Sequence, residues 1–267
     1  MLVRHISELE NPQLDPYREL KRTNLTRWSK WFIAEGKLVV ERLLQSNFEI
    51  YSILLSEKRL DEFGPRIPDG LTTLVVSHEM CSQLVGFDFH AGVMACAVRP
   101  GKRSCAEFVP TADSPQTLIV CPNTTLPDNL GALLRIGAAF GASGFICGPE
   151  TCDPFSRRTV RVSMGNVFQV PVFEPLNLSD ELRLLRDRFG FEIVAANQSK
   201  RAERLPQFVR QRNLALVLGN EATGIQPDIL KLCDREVEIP IASGVDSLNV
   251  SSAAAVLLYE LTRPPRI

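Results

Sequence analysis

The absences in this chain narrow its class first. No apolar stretch approaches the roughly 20 residues that a membrane-spanning helix needs, and residues 1–10 are too polar for a signal peptide. G-x-G-x-x-G is missing, and Gly141, Gly144 and Gly148 have the wrong spacing to replace it, so the dinucleotide fingerprint is not met. There is no G-x-x-x-x-G-K-[ST], which excludes a P-loop, and no G-x-S-x-G nucleophile elbow. Histidine is scarce: His5, His78 and His90 all lie in the N-terminal part, and none has metal-ligand spacing. The seven cysteines form no C-x-x-C pair. Cys96, Cys121, Cys147 and Cys233 sit inside apolar runs and read as small buried hydrophobes. A disulfide framework suits a small secreted domain rather than a chain of 267 residues. The expectation is a cytoplasmic protein with reduced thiols, no membrane partner and no metal.

An excess of positive charge is also lacking. The formal net charge is −1, so no overall basic field advertises nucleic acid. The basic residues are nevertheless clustered: Arg18, Lys21, Arg22, Arg27 and Lys30; Arg99, Lys102 and Arg103; Arg157, Arg158 and Arg161. Any one such cluster taken alone reads as a solvated face. The hydrophobic fraction of 45% and charged fraction of 23% allow a core of ordinary size, and the length suits two domains.

The pattern changes along the chain. In the first part, Leu38, Val39, Leu43 and Leu44 recur at helical spacing, and residues 50–55, 71–76 and 93–98 are strand candidates. Residues 1–105 read as a compact α/β unit. Residues 106–116, with two prolines and few large apolar side chains, read as a linker. From residue 117 onward, strand and helix alternate. Strands are expected at 118–121, 144–147, 167–173, 193–196, 214–218 and 237–241, and helices at 130–140, 179–189, 227–233 and 250–261. Asp128 or Asn129 is placed to cap the first of these helices. This alternation predicts a mostly parallel sheet covered by helices over residues 117–267.

Three segments of that second part put glycine or small polar residues where a strand meets a turn or helix, which is where open α/β sheets hold ligands. They are Asn129-Leu130-Gly131-Ala132-Leu133-Leu134-Arg135, Leu218-Gly219-Asn220-Glu221-Ala222-Thr223-Gly224, and Ile239-Pro240 followed by Ser247-Leu248-Asn249-Val250-Ser251. In that order they resemble the three motifs of the SpoU (TrmH-like) group of the SPOUT superfamily, RNA ribose 2'-O-methyltransferases that use S-adenosyl-L-methionine. Asp153-Pro154-Phe155-Ser156 and Arg161 to Gly165 resemble another recurring SpoU segment. Phe32 to Gly36 and His90 to Ala95 more loosely resemble the substrate-binding domain found ahead of many SpoU enzymes, which is similar to ribosomal protein L30e.

The resemblance implies an α/β fold with a trefoil knot, the segment from Val237 onward being threaded. It also implies a homodimer and an RNA substrate, ribosomal RNA ahead of transfer RNA, in a housekeeping or a resistance role. A non-catalytic RNA-binding protein on the same fold is the reading from another class; a small-molecule enzyme is disfavoured by the missing nucleotide motifs.

The same resemblance assigns roles by residue. Arg135 matches the family's catalytic arginine. An arginine stays protonated in proteins, so a clamp on the target phosphate that positions the hydroxyl is the chemistry expected of it. Read without the family, Arg135 is an arginine snorkelling off a half-buried helix and in need of a partner or a polar cleft. Asn129, Glu221, Ser247 and Asn249 match polar residues of the motifs near the reacting groups. Their bland alternatives are helix capping and, for Glu221, a helix-dipole role. Leu218, Gly219, Asn220, Gly224, Ile239, Ile241, Gly244 and Leu248 match the lining of the methyl-donor pocket, an apolar slot with a few backbone donors and acceptors. Arg161, Arg27 and Lys30 are the candidate RNA contacts. Asp246 stands where many relatives carry Glu.

Overall fold

The structure is a computed structural model, and it describes residues 1–20, 29–107, 114–244 and 247–262. Arg27 and Asp246 lie outside the described residues. Two compact units are present. The first comprises Met1–Gly101 and Asp153–Gln169, and the second Lys102–Cys152 and Val170–Ile267. The segment 153–169, read from sequence as part of the second domain, packs with the first unit.

The first unit is built on a five-stranded mixed sheet. Its strands are β1 (Leu2–His5), β2 (Trp31–Glu35), β3 (Ile50–Ser56), β4 (Thr72–Val76) and β5 (Val93–Val98), in the order β1-β4-β3-β5-β2. β2 and β1 escape a periodicity reading because each is a short edge strand, and β1 is exposed throughout. Helices α1 (Lys37–Leu44), α2 (Glu57–Phe63) and α3 (His78–Val85) connect the strands. Ser77 caps α3 by accepting from the Met80 amide at 3.1 Å. The core on one face gathers Leu14, Tyr17, Ile33, Leu54, Leu74, Leu84, Phe89 and Cys96. Tyr17 is fully buried and fully bonded: its hydroxyl donates to the Ser52 carbonyl at 2.9 Å and accepts from the Cys96 amide at 3.1 Å.

The segment 153–169 is fastened by charge and by aromatic rings. Arg99 and Asp153 pair at 2.8 Å with both side chains buried. Phe155 and Phe168 pack on Phe32, with ring centroids 5.3 and 5.7 Å away. The short helix α5 (Arg157–Val162) is capped by Ser156, which accepts from the Thr159 amide.

The second unit carries the repeated strand–helix pattern. Its strands are β6 (Gln116–Cys121), β7 (Gly144–Cys147), β8 (Val172–Phe173), β9 (Glu192–Ala196), β10 (Glu203–Arg204), β11 (Asn213–Leu218) and β12 (Arg235–Glu238). They form one sheet in the order β10-β12-β9-β11-β6-β7-β8, and every pairing is parallel. Its helices are α4 (Pro127–Ala139), α6 (Leu178–Phe189), α7 (Pro227–Leu230) and α8 (Val250–Thr262). A parallel sheet must be covered on both faces. α6 covers one with Leu178, Leu182 and Leu185, at i, i+4 and i+7. On the other side α4 lies very close to the sheet. A Cβ on Gly137 would meet the Phe145 ring at 2.4 Å and Ile119 at 2.7 Å, so only glycine permits this approach. α8 packs against α4.

Three expectations are corrected. The strand expected over 167–173 shrinks to β8, because residues 166–168 turn as a 3-10 helix after Gly165 adopts a left-handed φ of +79°. Helix α4 starts at Pro127 with Leu126 as its cap residue and no side-chain cap bond; Asp128 and Asn129 sit inside its first turn. β12 ends at Glu238, so Ile239 and Ile241 lie in the following loop, where Pro240 has no amide to donate to a ladder. Cys96, Cys121 and Cys147 are buried as expected, whereas Cys233 is only half-buried. Burial pushes the thiols of Cys96 and Cys121 up to about 12.

Candidate active site

The site follows from sheet order. From β6 the chain steps one way through β7 and β8, then crosses back to build β9, β10, β11 and β12 on the far side. β6 and β11 therefore flank the point where the winding reverses, and a ligand crevice is expected beyond their C-terminal ends. The loops 122–126 and 219–224 emerge there. Asn220 donates through Nδ2 to the Asn123 carbonyl at 3.0 Å and to Thr125 Oγ1 at 3.3 Å. Asn123 donates in return to Thr223 Oγ1 at 3.3 Å and to the Gly224 carbonyl at 3.5 Å.

The loop 219–224 is also closed on itself. Asn220 and Gly224 exchange backbone hydrogen bonds of 3.1 and 2.8 Å, and Asn220 Oδ1 accepts from the Ala222 amide at 2.8 Å. Gly224 takes the left-handed φ of +68° that this closure needs, and Gly219 has backbone against it: a Cβ there would lie 2.6 Å from the Gly224 carbonyl carbon.

A cleft of about 230 Å³ opens beside this loop. Leu218, Gly219, Asn220, Gly224, Ile239, Ile241 and Leu248 line it, as do Glu221 and Ser247. Of the eight residues expected to hold the donor, only Gly244 is outside the lining. Ile225, Val237 and Leu257 add apolar wall, and Ala196 to Gln198 form the side at the end of β9. Sequence reasoning missed Ala196 to Gln198, although the rule that ligands sit past parallel strand ends points to the residues after β9. It also missed Asn123. That residue is 5% exposed, and its Oδ1 has no hydrogen-bond partner among the described residues.

At the mouth of the cleft, three candidate residues are joined. Asn129, in the first turn of α4, donates through Nδ2 to Glu221 Oε1. Its Oδ1 accepts from Asn249 Nδ2 at 3.2 Å. An amide can give to a carboxylate and take from a second amide at once; a carboxylate in its place could only accept. Asn249 also serves the helix it precedes, since its Oδ1 accepts from the Ser251 amide at 2.9 Å. Capping and site-building coincide in this residue.

Arg135 is not part of that chain. Six residues after Asn129, it stands about 9 Å further along α4 at the helical rise. It is exposed, with no hydrogen bond or ion pair among the described residues. The partner that its apolar neighbours led one to expect is not found among the described residues; the side chain is exposed instead. In the first unit, Arg161 Nη1 lies 3.5 Å from Glu35, which also pairs with Arg157, so Arg161 is engaged while still 43% exposed. Lys30 is exposed, with Nζ 4.6 Å from the centre of the Trp31 ring.

A fully parallel sheet with an apolar cleft past its switch point defines an α/β protein built to hold a small ligand above its strand ends. Residues 116–259 match the SpoU rRNA Methylase family, and the chain belongs to that family. A Mycobacterium tuberculosis protein named as an uncharacterized tRNA/rRNA methyltransferase is 33% identical over 98% of this chain and 92% of its own length. The 23S rRNA (guanosine-2'-O-)-methyltransferase RlmB of Acinetobacter baylyi is 30% identical over 73% of this chain and 80% of its own length. The crystal structure of an AdoMet-bound rRNA methyltransferase from Sinorhizobium meliloti superposes with a TM-score of 0.83 at 27% identity, covering 97% of each chain. Among the described residues, no helix is long and apolar enough to cross a membrane.

Proposed function

We propose that this chain transfers a methyl group from S-adenosyl-L-methionine to a ribose 2'-hydroxyl of RNA, with ribosomal RNA as the substrate. Family membership and the RlmB relative support the reaction and the RNA class. The observation that carries the reading to this chain's own residues is the bonded set Asn249–Asn129–Glu221 at the cleft mouth. Three separated motifs meet there, next to an apolar pocket.

The cleft suits the donor. Leu218, Ile225, Val237, Ile239 and Leu248 form an apolar slot for a purine, and the turn 219–224 supplies backbone polar groups beside it. When bound, the sulfonium supplies an electrophilic methyl group whose departure leaves a neutral thioether. The protein's own residues have then to place the acceptor oxygen in line and manage its proton. The pinned loops 122–126 and 219–224 hold the pocket wall rigid, which is how orientation lowers a barrier. Arg135, without a partner among the described residues, presents its planar fork to a phosphate of the target nucleotide. Held there, it fixes the ribose and offsets negative charge developing on the 2'-oxygen. Glu221 and Ser247 lie at the pocket edge, with Asn129 bonded to the carboxylate and Asn249 bonded to Asn129.

The reading extends to a homodimer that completes the site, to a cytoplasmic location with the ribosome, and to the trefoil threading from Val237 onward. Support for the dimer comes from an uncovered stripe on α8: Val256 and Tyr259 are 43% and 61% exposed, on a helix otherwise rich in buried apolar residues.

The deciding experiment is methyl incorporation from labelled S-adenosylmethionine into RNA from a strain lacking the protein, using wild type and Arg135→Ala. The expected result is label in a 2'-O-methylnucleoside of ribosomal size, reduced at least 100-fold in the variant. Label on a base refutes the acceptor, and label in transfer RNA refutes the substrate. Donor binding with no label anywhere returns the chain to the non-catalytic RNA-binding reading.

A further inference from the structure

The first unit carries an aromatic pair of which one ring, Trp31, packs against the core and the other, Tyr51, does not. Trp31 on β2 and Tyr51 on β3 stack with ring centroids 5.0 Å apart and planes 28° from parallel. Lys30 Nζ lies 4.6 Å from the Trp31 ring centre. Tyr51 is 49% exposed, whereas Ser52 to Ser56 after it are all buried. Tyr51 is set there by a break in the β3–β5 ladder. Ile50 faces Ala97 and Ser52 faces Cys96, so two steps on β3 oppose one on β5 and Tyr51 is the extra residue. A bulge of this kind re-aims one side chain at the cost of ladder pairing. Here it lays an exposed phenol ring on a partly exposed indole, with the Lys30 ammonium over the indole ring. The core of this unit is complete without Tyr51, which is absent from its buried cluster.

We propose that Trp31 and Tyr51, with Lys30, form a stacking platform for an unpaired base of the RNA substrate; the inference rests on the RNA-methyltransferase reading above. The chemistry of the patch selects this occupant. An exposed π-face receives a base irrespective of its identity, and a neighbouring ammonium answers the adjoining phosphate. Bases inside a duplex are already stacked on each other, so the platform takes a single-stranded or looped segment rather than a helix. That assigns the first unit a definite task. It grips an unpaired stretch of RNA, apart from Arg161 and Arg157, which pair with Glu35.

The chain has two tryptophans, Trp28 and Trp31, so Trp28→Phe leaves Trp31 as the sole indole reporter. In that background, titration with a short single-stranded RNA of mixed sequence is expected to quench the fluorescence, and the matching duplex is not. Tyr51→Leu should weaken single-strand affinity roughly 5- to 100-fold, the range that loss of one base–aromatic stack gives. Tyr51→Phe should keep it. Donor binding by calorimetry and turnover at saturating RNA should stay at the parent value, with the loss confined to KM for RNA. The exposure of Tyr51 makes the leucine variant safe for folding, and a melting curve checks it. Unchanged RNA affinity in Tyr51→Leu overturns the platform. So does quenching that rises with protein concentration without RNA, which would assign the patch to a second copy of the chain. Oligonucleotide binding is read without any methyl transfer, so a failed labelling experiment and a failed platform remain distinguishable.

Discussion

Asn129 is the residue on which the polar set depends, because it alone bonds to both of the others. Replacing its amide with a carboxylate tests that dependence with minimal change of shape. Asn129→Asp loses the donor to Glu221 and sets two negative charges side by side, which raises the apparent carboxylate pKa of the pair. The fold should survive, since the site is at the surface. Activity is expected to fall at least 10-fold at neutral pH and to recover partly as pH drops and one carboxyl takes a proton. Recovery on raising the pH would contradict the assignment. Arg135 makes the complementary case. Because it has no partner among the described residues, Arg135→Lys should leave melting temperature and donor affinity at wild-type values. A lysine keeps the charge and loses the fork, so turnover should remain far below wild type if bidentate phosphate contact is the role. A fully active lysine variant would reduce that role to a point charge.

At the scale of elements, the loops after β6 and β11 are the working parts, and their stiffness is testable. Gly219→Ala forces a Cβ to within 2.6–2.7 Å of the backbone at Gly224 and Ile225, which cannot yield as a flexible side chain could. Donor affinity measured by calorimetry should fall 10-fold or more. Asn123→Ala removes two bonds across the loops and should weaken donor binding in the same direction, by less, since each bond contributes about 1 kcal/mol. Wild-type affinity in both would show that loop pinning is irrelevant to the pocket. These loops also mark how much was legible beforehand. The glycines and asparagine of 218–224 and the strand β11 before them were readable, because alternating strand and helix patterns signal a parallel sheet and its ligand-binding edge. The partner loop was not. Asn123 lies six residues before the motif asparagine, and its role depends on β6 and β11 being sheet neighbours, a non-local fact that no spacing rule reports. Edge strands β1 and β2 were missed for a related reason. Their order comes from pairing with β4 and β5, and their own sequences lack clear alternation. Arg161 was legible as a basic residue but not as the partner of Glu35, which lies far from it in sequence.

For the whole molecule, the near-neutral charge has to be reconciled with an RNA substrate. Part of the basic inventory is internal: Arg99 is buried against Asp153, Arg157 is held by Glu35, and Arg235 binds both Glu192 and Glu203. One copy has a net charge of −1, and the proposed dimer would double the basic groups that a single RNA can meet. The stripe Val256 and Tyr259 on α8 is the surface proposed above to join two copies, and the helix it belongs to begins directly after Asn249 of the site. Burying two such side chains on each copy contributes a few kcal/mol at most by area, so a charge there should be decisive. Val256→Glu is expected to halve the mass by light scattering and to leave each copy folded by circular dichroism, because the position is already exposed to water. Methyl transfer should be lost along with the dimer, while donor affinity falls less, since the cleft is lined from within one chain. A monomeric variant with full activity would place the complete site in a single copy. It would also leave the exposed α8 stripe to some other partner.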